Sequence, residues 1–353
     1  MERKIYSIVG STPEVAAYGL AKYSRSSLGL HESLRELSAQ KTEEFLNTFY
    51  FQYGHSSIAD LAHVAIALEQ ISIWAAMVVV DEPLWDGQER STRYQDFKKT
   101  KYYTPPTAPA RYVELADHAF ATYDRLTHLV KDAYVQKYDK PSDMAEDAYH
   151  RTLRARAFDV SRYWLPLSTN TSLGQITSAR TLERQISRLM SHELPELQVI
   201  AEEIKDSVVG REPVNLQLEK ADQDESLHPL RSLLQTGPLL PTLAKYTSPN
   251  THQIHSKQAL QRVAAELLAG IEPETEFGVR LHTYQDPLRH AVTALLYSVS
   301  NLSYAQIDAV VSDLCSARKK EILDLAFEHR GRHDAWLREL QAQPLRTSVP
   351  SAT

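Results

Sequence analysis

The stretch Ser178-SARTLERQISRLMSHE-Glu193 decides how this chain is read. Ser178 is an N-cap type, since its hydroxyl can accept from an amide two or three residues on. Leu182, Ile186 and Leu189 recur at helical spacing and make an apolar face. Arg180, Arg184 and Arg188 lie four apart on another face, and His192 continues the row. Arginine suits bidentate recognition of phosphate or of a pyrimidine's carbonyl edge. The same stripe could equally be a solvated face paired with Glu183 and Glu193. The pattern predicts a helix from about 179 to 209.

Upstream, "LSTNTSLGQIT" is polar, β-branched and glycine-containing, hence strand or loop. "SRYWLPLST" places Arg162 at a helix end before Pro166, where a cation can simply complement the helix dipole. Residues 110–138 and 142–164 read as long amphipathic helices, separated from earlier elements by the rigid "TPPTAP" loop. "HVAIALE" reads as a strand. Residues 71–80 are apolar enough for helix or buried strand, and periodicity alone does not choose. Residues 30–53 carry a helical pattern ended by Gly54. "YGHSS", Tyr53 to Ser57, is either a helix stop with a following cap or a place where amides and hydroxyls hold a phosphate.

"QERSTRYQDF", Gln88 to Phe97, sets Glu89, Arg90, Ser91, Arg93 and Tyr94 together after this apolar run. It has the composition of an anion-pocket wall, or of an exposed, charged strand end.

Bulk properties narrow the classes. The chain has 353 residues, 42% of them hydrophobic, with a formal net charge of −6. That length favours two domains or one large unit, and the acidic balance argues against a nucleic-acid-coating protein. No apolar run is long enough to span a bilayer. The start lacks a signal-peptide pattern, so a cytoplasmic location and no membrane association are expected. Cys315 is the single cysteine, which excludes an intrachain disulfide. With no adjacent histidine it reads as a small buried side chain on an amphipathic helix, not a nucleophile. No P-loop, GxGxxG or zinc spacing occurs, and "HRGRHD", His329 to Asp334, lacks the spacing of a structural zinc site.

"GREPVN" reads as a linker and "QLEKADQDESLHP" as an exposed, charged segment. "LAKYS", Leu20 to Ser24, returns as "LAKYT", Leu243 to Thr247. Each is followed by a helical pattern and then a β-like segment, "HVAIALE" in one case and "GVRLHTY" in the other. The matching order predicts a degenerate internal duplication, with domains at 1–210 and 211–353.

The ordered set "YGHSS", "ERSTRY", "SRYWLPLST" and "SARTLERQISRLMSHE" resembles the flavin-dependent thymidylate synthases, the ThyX family, over about residues 50 to 200. The resemblance implies an α+β fold, helix-rich with a small β-sheet, followed here by a degenerate ThyX-like second half. It implies C5-methylation of a uracil nucleotide, dUMP or UMP. Methylenetetrahydrofolate would give the carbon, reduced FAD the hydride, and NADPH would reduce the flavin. By position, Ser91, Arg93 and Arg162 would hold the nucleotide, with Glu89 lining the nucleotide and flavin site. Arg188 would polarise the pyrimidine ring. His55, Ser57, Ser178, Arg180 and His192 would face the flavin. The family's active sites form where subunits meet, so a homo-oligomer, dimer or tetramer, is expected. The chain's length resembles a longer branch that includes UMP C5-methylases of nucleoside-antibiotic pathways. One hallmark is missing. An Arg-His-Arg should precede "ERSTRY", and "DEP", Asp81 to Pro83, stands in its place. Arg332 and His333 in the second half are candidates to supply the missing positive charge. A relative that binds a pyrimidine nucleotide but has lost flavin chemistry is the alternative.

Overall fold

In the computed structural model, residues 10–23, 56–97, 100–231, 237–275, 278–283, 286–332, 334–341 and 345–348 are described. They fall into two compact units, Met1–Ser248 and Pro249–Thr353. The helical pattern at 30–53, with Gly54 and His55, lies outside the described residues.

The first unit opens with α1 (Pro13–Tyr23) and a 3-10 helix (Ser56–Leu61). β1 (His63–Ser72) follows and leads without a loop into α2 (Ile73–Val79). Two local features cause that abrupt change. First, Gln70 adopts φ 60°, and the pairing register shifts between Glu69 and Ile71. Such a bulge changes the phase of alternation. Val64 and Leu68 face the core before it, and Ile71 faces the core after it. Second, Ser72 caps α2: its hydroxyl accepts from Ala75 N at 2.9 Å. The run 71–80 is therefore the end of a strand plus a two-turn helix.

β2 (Asp86–Glu89) is short. α3 (Ala110–Lys137) and α4 (Glu146–Ser161) form a pair around Phe97, Tyr123 and Phe158, with Thr127 and Ser161 hydroxyls 2.7 Å apart between them. A 3-10 turn, Arg162–Trp164, ends that helical stretch. β3 (Asn170–Ser178) is the centre of a three-stranded antiparallel sheet in the order β1-β3-β2, with His63 opposite Ser178 and Glu89 opposite Leu173. Ser178 caps α5 (Ala179–Met190), its hydroxyl accepting from Thr181 N. The helix expected to run on to 209 stops at Met190. A new helix, α6 (Pro195–Val209), begins with Pro195, which has no N–H and fits only a first turn. Leu182, Ile186 and Leu189 are fully buried with Leu197, Ile200, Ile204 and Val208 in the main core.

The charged segment after 215 contains α7 (Leu216–Gln223) and is largely exposed. The chain then returns to the first core, where Leu240, Leu243 and Ala244 pack. Two buried carboxylates fasten it there. Glu14 accepts from Thr242 N and Leu243 N at 3.0 and 3.1 Å, and Glu183 accepts from Tyr246 N. This fastening puts the division after Ser248, where the sequence pointed to 210.

The second unit contains α8 (Thr251–Leu267), β4 (Arg280–Thr283), α9 (Pro287–Tyr297), α10 (Tyr304–Asp313), α11 (Ser316–Leu325) and β5 (Leu345–Ser348). Its core is built from residues such as Leu260, Leu295, Leu296, Ile307 and Ile322. β4 and β5 make a two-stranded sheet. The two "LAKY" segments are not structural counterparts. Leu20–Tyr23 closes a helix, while Leu243–Thr247 lies in non-helical chain within the first unit. Cys315 is a correction: it sits at the start of α11 and is exposed. Among the described residues, no helix is long and apolar enough to cross a membrane.

Candidate functional site

"ERSTRY" leaves β2 as a tight turn. Arg90 N donates to Ser172 O at 2.8 Å, which continues the sheet one residue further. The Ser91 hydroxyl accepts from Arg93 N at 3.2 Å and its carbonyl from Gln95 N at 3.2 Å. The Arg90 guanidinium covers the buried Phe97 ring at 4.9 Å, so it anchors the turn and is not aimed outward.

This turn meets the end of α4. Arg93 Nε lies 3.3 Å from Asp159 Oδ1, and Arg162 Nη2 lies 3.0 Å from the same oxygen. Arg162 Nη1 also donates to Thr92 Oγ1 at 3.4 Å. Side chains of Arg93 and Arg162 are 54% and 30% exposed, so both can reach a ligand. The structure therefore brings Ser91 and Arg93 together with Arg162, which lies about 70 residues later in the chain. Glu89 stands at the start of the turn. Desolvation raises its carboxyl above the ordinary carboxylate range, opposed in part by the Thr171 hydroxyl.

Strand β2 can lie there only because residue 87 is glycine. A Cβ on Gly87 would collide with the Gly174 carbonyl and the Trp85 ring.

A second cluster lies on α5. Arg184 Nη2 and Nε donate to Glu82 Oε2 at 2.8 and 3.2 Å. Arg188 Nε donates to Glu82 Oε1 at 2.8 Å and its Nη2 to Val78 O at 2.9 Å. The Glu82 side chain is 2% exposed. Its loop is held by a chain of hydrogen bonds through two buried amides: the Trp85 indole Nε1 donates to Gln175 Oε1, Gln175 Nε2 to Gln185 Oε1, and Gln185 Nε2 to Val79 O. Glu82 is the middle residue of "DEP".

Arg180 does not join that pair. A helix turns 100° per residue, so a row of fourth residues drifts by 40° a step, and Arg180 pairs instead with Asp60 at 2.8 Å. Asp60 and Ser57 belong to the 3-10 helix beside the start of α5, where Ala179 N donates to Ala62 O at 2.7 Å. Ser57, Ser178 and Arg180 thus gather at one edge, with the Ser178 hydroxyl used as the cap. His192 lies past the end of α5, its Nδ1 accepting from Leu194 N at 3.1 Å. Arg332 is exposed in the second unit, and His55 and His333 lie outside the described residues. No cluster of three or more metal-ligating side chains occurs among the described residues.

The sequence reading missed Asp159 and Glu82. Asp159 stands three residues before Arg162 on one helix face, a legible signal. Glu82 offered less, because nothing local marks a glutamate before a proline as buried.

The family model for the thymidylate synthase complementing protein, Thy1, matches residues 7–214, more than half of the chain. The chain belongs to the Thy1 family. A "UPF0159 protein" of Chlamydia muridarum is 26% identical over 357 residues, which covers 90% of this chain and 61% of that protein. A flavin-dependent thymidylate synthase of Clostridium tetani is 23% identical over 176 residues, covering 48% of this chain and 67% of that one. This Thy1 chain thus spans about three fifths of the length of the chlamydial relative. Among solved structures, the flavin-dependent thymidylate synthase ThyX of Helicobacter pylori complexed with FAD and dUMP is 17% identical, with a TM-score of 0.36, covering 57% of this chain and 91% of that one.

Proposed function

We propose that this Thy1-family chain binds a uracil nucleotide, dUMP or UMP, through Ser91, Arg93 and Arg162, and serves its methylation at C5. The observation that carries this reading is the convergence of Arg93 and Arg162 on one oxygen of Asp159, beside the Ser91 turn. Two guanidiniums held about one anionic oxygen are already spaced for a phosphate oxygen. A phosphate takes their donors and Asp159 moves aside. Arg188 presents its remaining Nη1 edge to a uracil carbonyl, where it stabilises the charge that develops as C5 becomes nucleophilic. Glu89, kept above the ordinary carboxylate range by desolvation, lines the same turn.

The described residues fit a flavin at the edge formed by Ser57, Ser178 and Arg180, beside the positive end of α5. Bound there, reduced FAD would supply the hydride, with methylenetetrahydrofolate giving the carbon and NADPH regenerating the reduced flavin. His55, His192, Arg332 and His333 remain proposed flavin-side residues, and assembly as a homo-oligomer belongs to the same reading.

Glu82 favours a second reading. Where the resemblance calls for Arg-His-Arg, this chain carries Asp81, Glu82 and Pro83, and Glu82 neutralises part of the arginine stripe. A chain of that kind could bind the nucleotide without flavin chemistry. One assay separates the two: incubate the protein with FAD, NADPH, methylenetetrahydrofolate and either dUMP or UMP. Yellow protein that yields a C5-methylated nucleotide supports the first. Nucleotide binding by colourless, inactive protein supports the second.

A further inference from the structure

We infer that Glu82 is a positioning residue that aims Arg188 at the uracil base, an inference that rests on the nucleotide reading above. Glu82 occupies Arg188 Nε and shares that guanidinium with Val78 O, while its other oxygen takes both Nε and Nη2 of Arg184. Each arginine is thus gripped along its Nε–Nη2 side, leaving Nη1 of both without a hydrogen-bond partner among the described residues. A planar guanidinium held along one side can turn only little, so Nη1 points in a fixed direction.

The carboxylate itself is fixed. Glu82 N donates to Val80 O at 2.7 Å, Pro83 restricts its backbone, and the amide chain from Trp85 through Gln175 and Gln185 to Val79 ties its loop to β3 and α5. Its charge also lowers the cluster from two positive charges to one. That leaves a donor edge suited to a neutral carbonyl ring and weakens the cluster as a site for a second phosphate. The position that lacks the Arg-His-Arg therefore carries a different device.

The base's share of binding tests this. For each protein it is the ratio of the dissociation constant of 2-deoxyribose 5-phosphate to that of dUMP, measured by calorimetric titration. Wild type, Glu82→Gln, Arg188→Ala and the double variant are compared. Glutamine keeps the shape, loses the charge, and sets an amide donor against a guanidinium. The expected result is that Glu82→Gln lowers the ratio about tenfold, the scale of one charge-assisted hydrogen bond. Arg188→Ala does the same, and the double variant loses no more than either single. Affinity for the sugar phosphate stays within about twofold throughout. A ratio unchanged in Glu82→Gln, or losses that add in the double variant, would overturn the inference. If wild type binds neither dUMP nor the sugar phosphate, the nucleotide reading fails first, which is a separate outcome. Should Glu82→Gln not fold, Glu82→Asp replaces it, because its shorter arm cannot reach both guanidiniums.

Discussion

Arg93 and Arg162 share one ion-pair partner, Asp159 Oδ1, at 3.3 and 3.0 Å. Two cations on a single oxygen leave Asp159 as an internal stand-in for an anion. Replacing it with asparagine removes that competitor but keeps the shape. Asp159→Asn should bind dUMP, and inorganic phosphate, several-fold more tightly than wild type. Titration of both ligands checks this, and weaker binding would show that Asp159 orients the arginines and does not compete with the ligand.

Gly87 controls whether the turn exists at all. Gly87→Ala places a methyl against the Gly174 carbonyl and the Trp85 ring. Backbone cannot yield there without breaking the β2–β3 pairing. The variant should lose about 1–3 kcal/mol of stability, the range for overpacking, and most of its nucleotide affinity. Thermal melts and titration measure both. An unchanged melt would mean that β2 is not needed to hold Glu89 and Ser91.

How far these features could be read beforehand depended on the range of the signal. Local signals worked: Ser178 as a cap, "HVAIALE" as a strand and the apolar face of α5 all follow from residues within one or two turns. Pro195, which fits only a first turn, is also a local signal for the start of a second helix, but the apolar period runs on across it. The bulge at Gln70 was not legible, since its effect on phase shows only when β1 is paired with β3. Glu14, Glu183 and Glu82 could not be recognised as buried, because their partners lie 63 to 229 residues away. The candidate site was legible as residue types in order, through a resemblance. The carboxylates that hold its arginines were not.

Arg188→Ala should depress turnover more than substrate affinity. Nη1 of Arg188 meets the ring where charge develops, so its removal lowers kcat by more than the about tenfold by which it weakens dUMP binding. Steady-state methylation kinetics with dUMP and UMP decide it. A raised KM with unchanged kcat would make Arg188 a binding residue only.

His252 gives the second unit a pH dependence. It is 1% exposed, its Nδ1 lies 3.1 Å from the Ser256 hydroxyl, and burial lowers its pKa below the ordinary 6.5. Asp334 opposes that shift, while Arg330 and His329 reinforce it. The neutral form is favoured in the folded state, so its contribution is full above about pH 6.5. It is lost as pH falls from there through the lowered folded value. Chemical denaturation between pH 7 and pH 5 should show declining stability, and His252→Gln should flatten that slope. Equal slopes would place the titrating group elsewhere.

The most direct test of the nucleotide site is a calorimetric titration of dUMP into wild type and into Arg93→Ala. Arg93 supplies a charge-assisted hydrogen bond to the phosphate in this account, so the variant should bind more weakly by about 1.5–3 kcal/mol, at least tenfold. Equal affinities, or no binding by wild type, would contradict it and leave Arg93 and Arg162 as surface cations paired with Asp159.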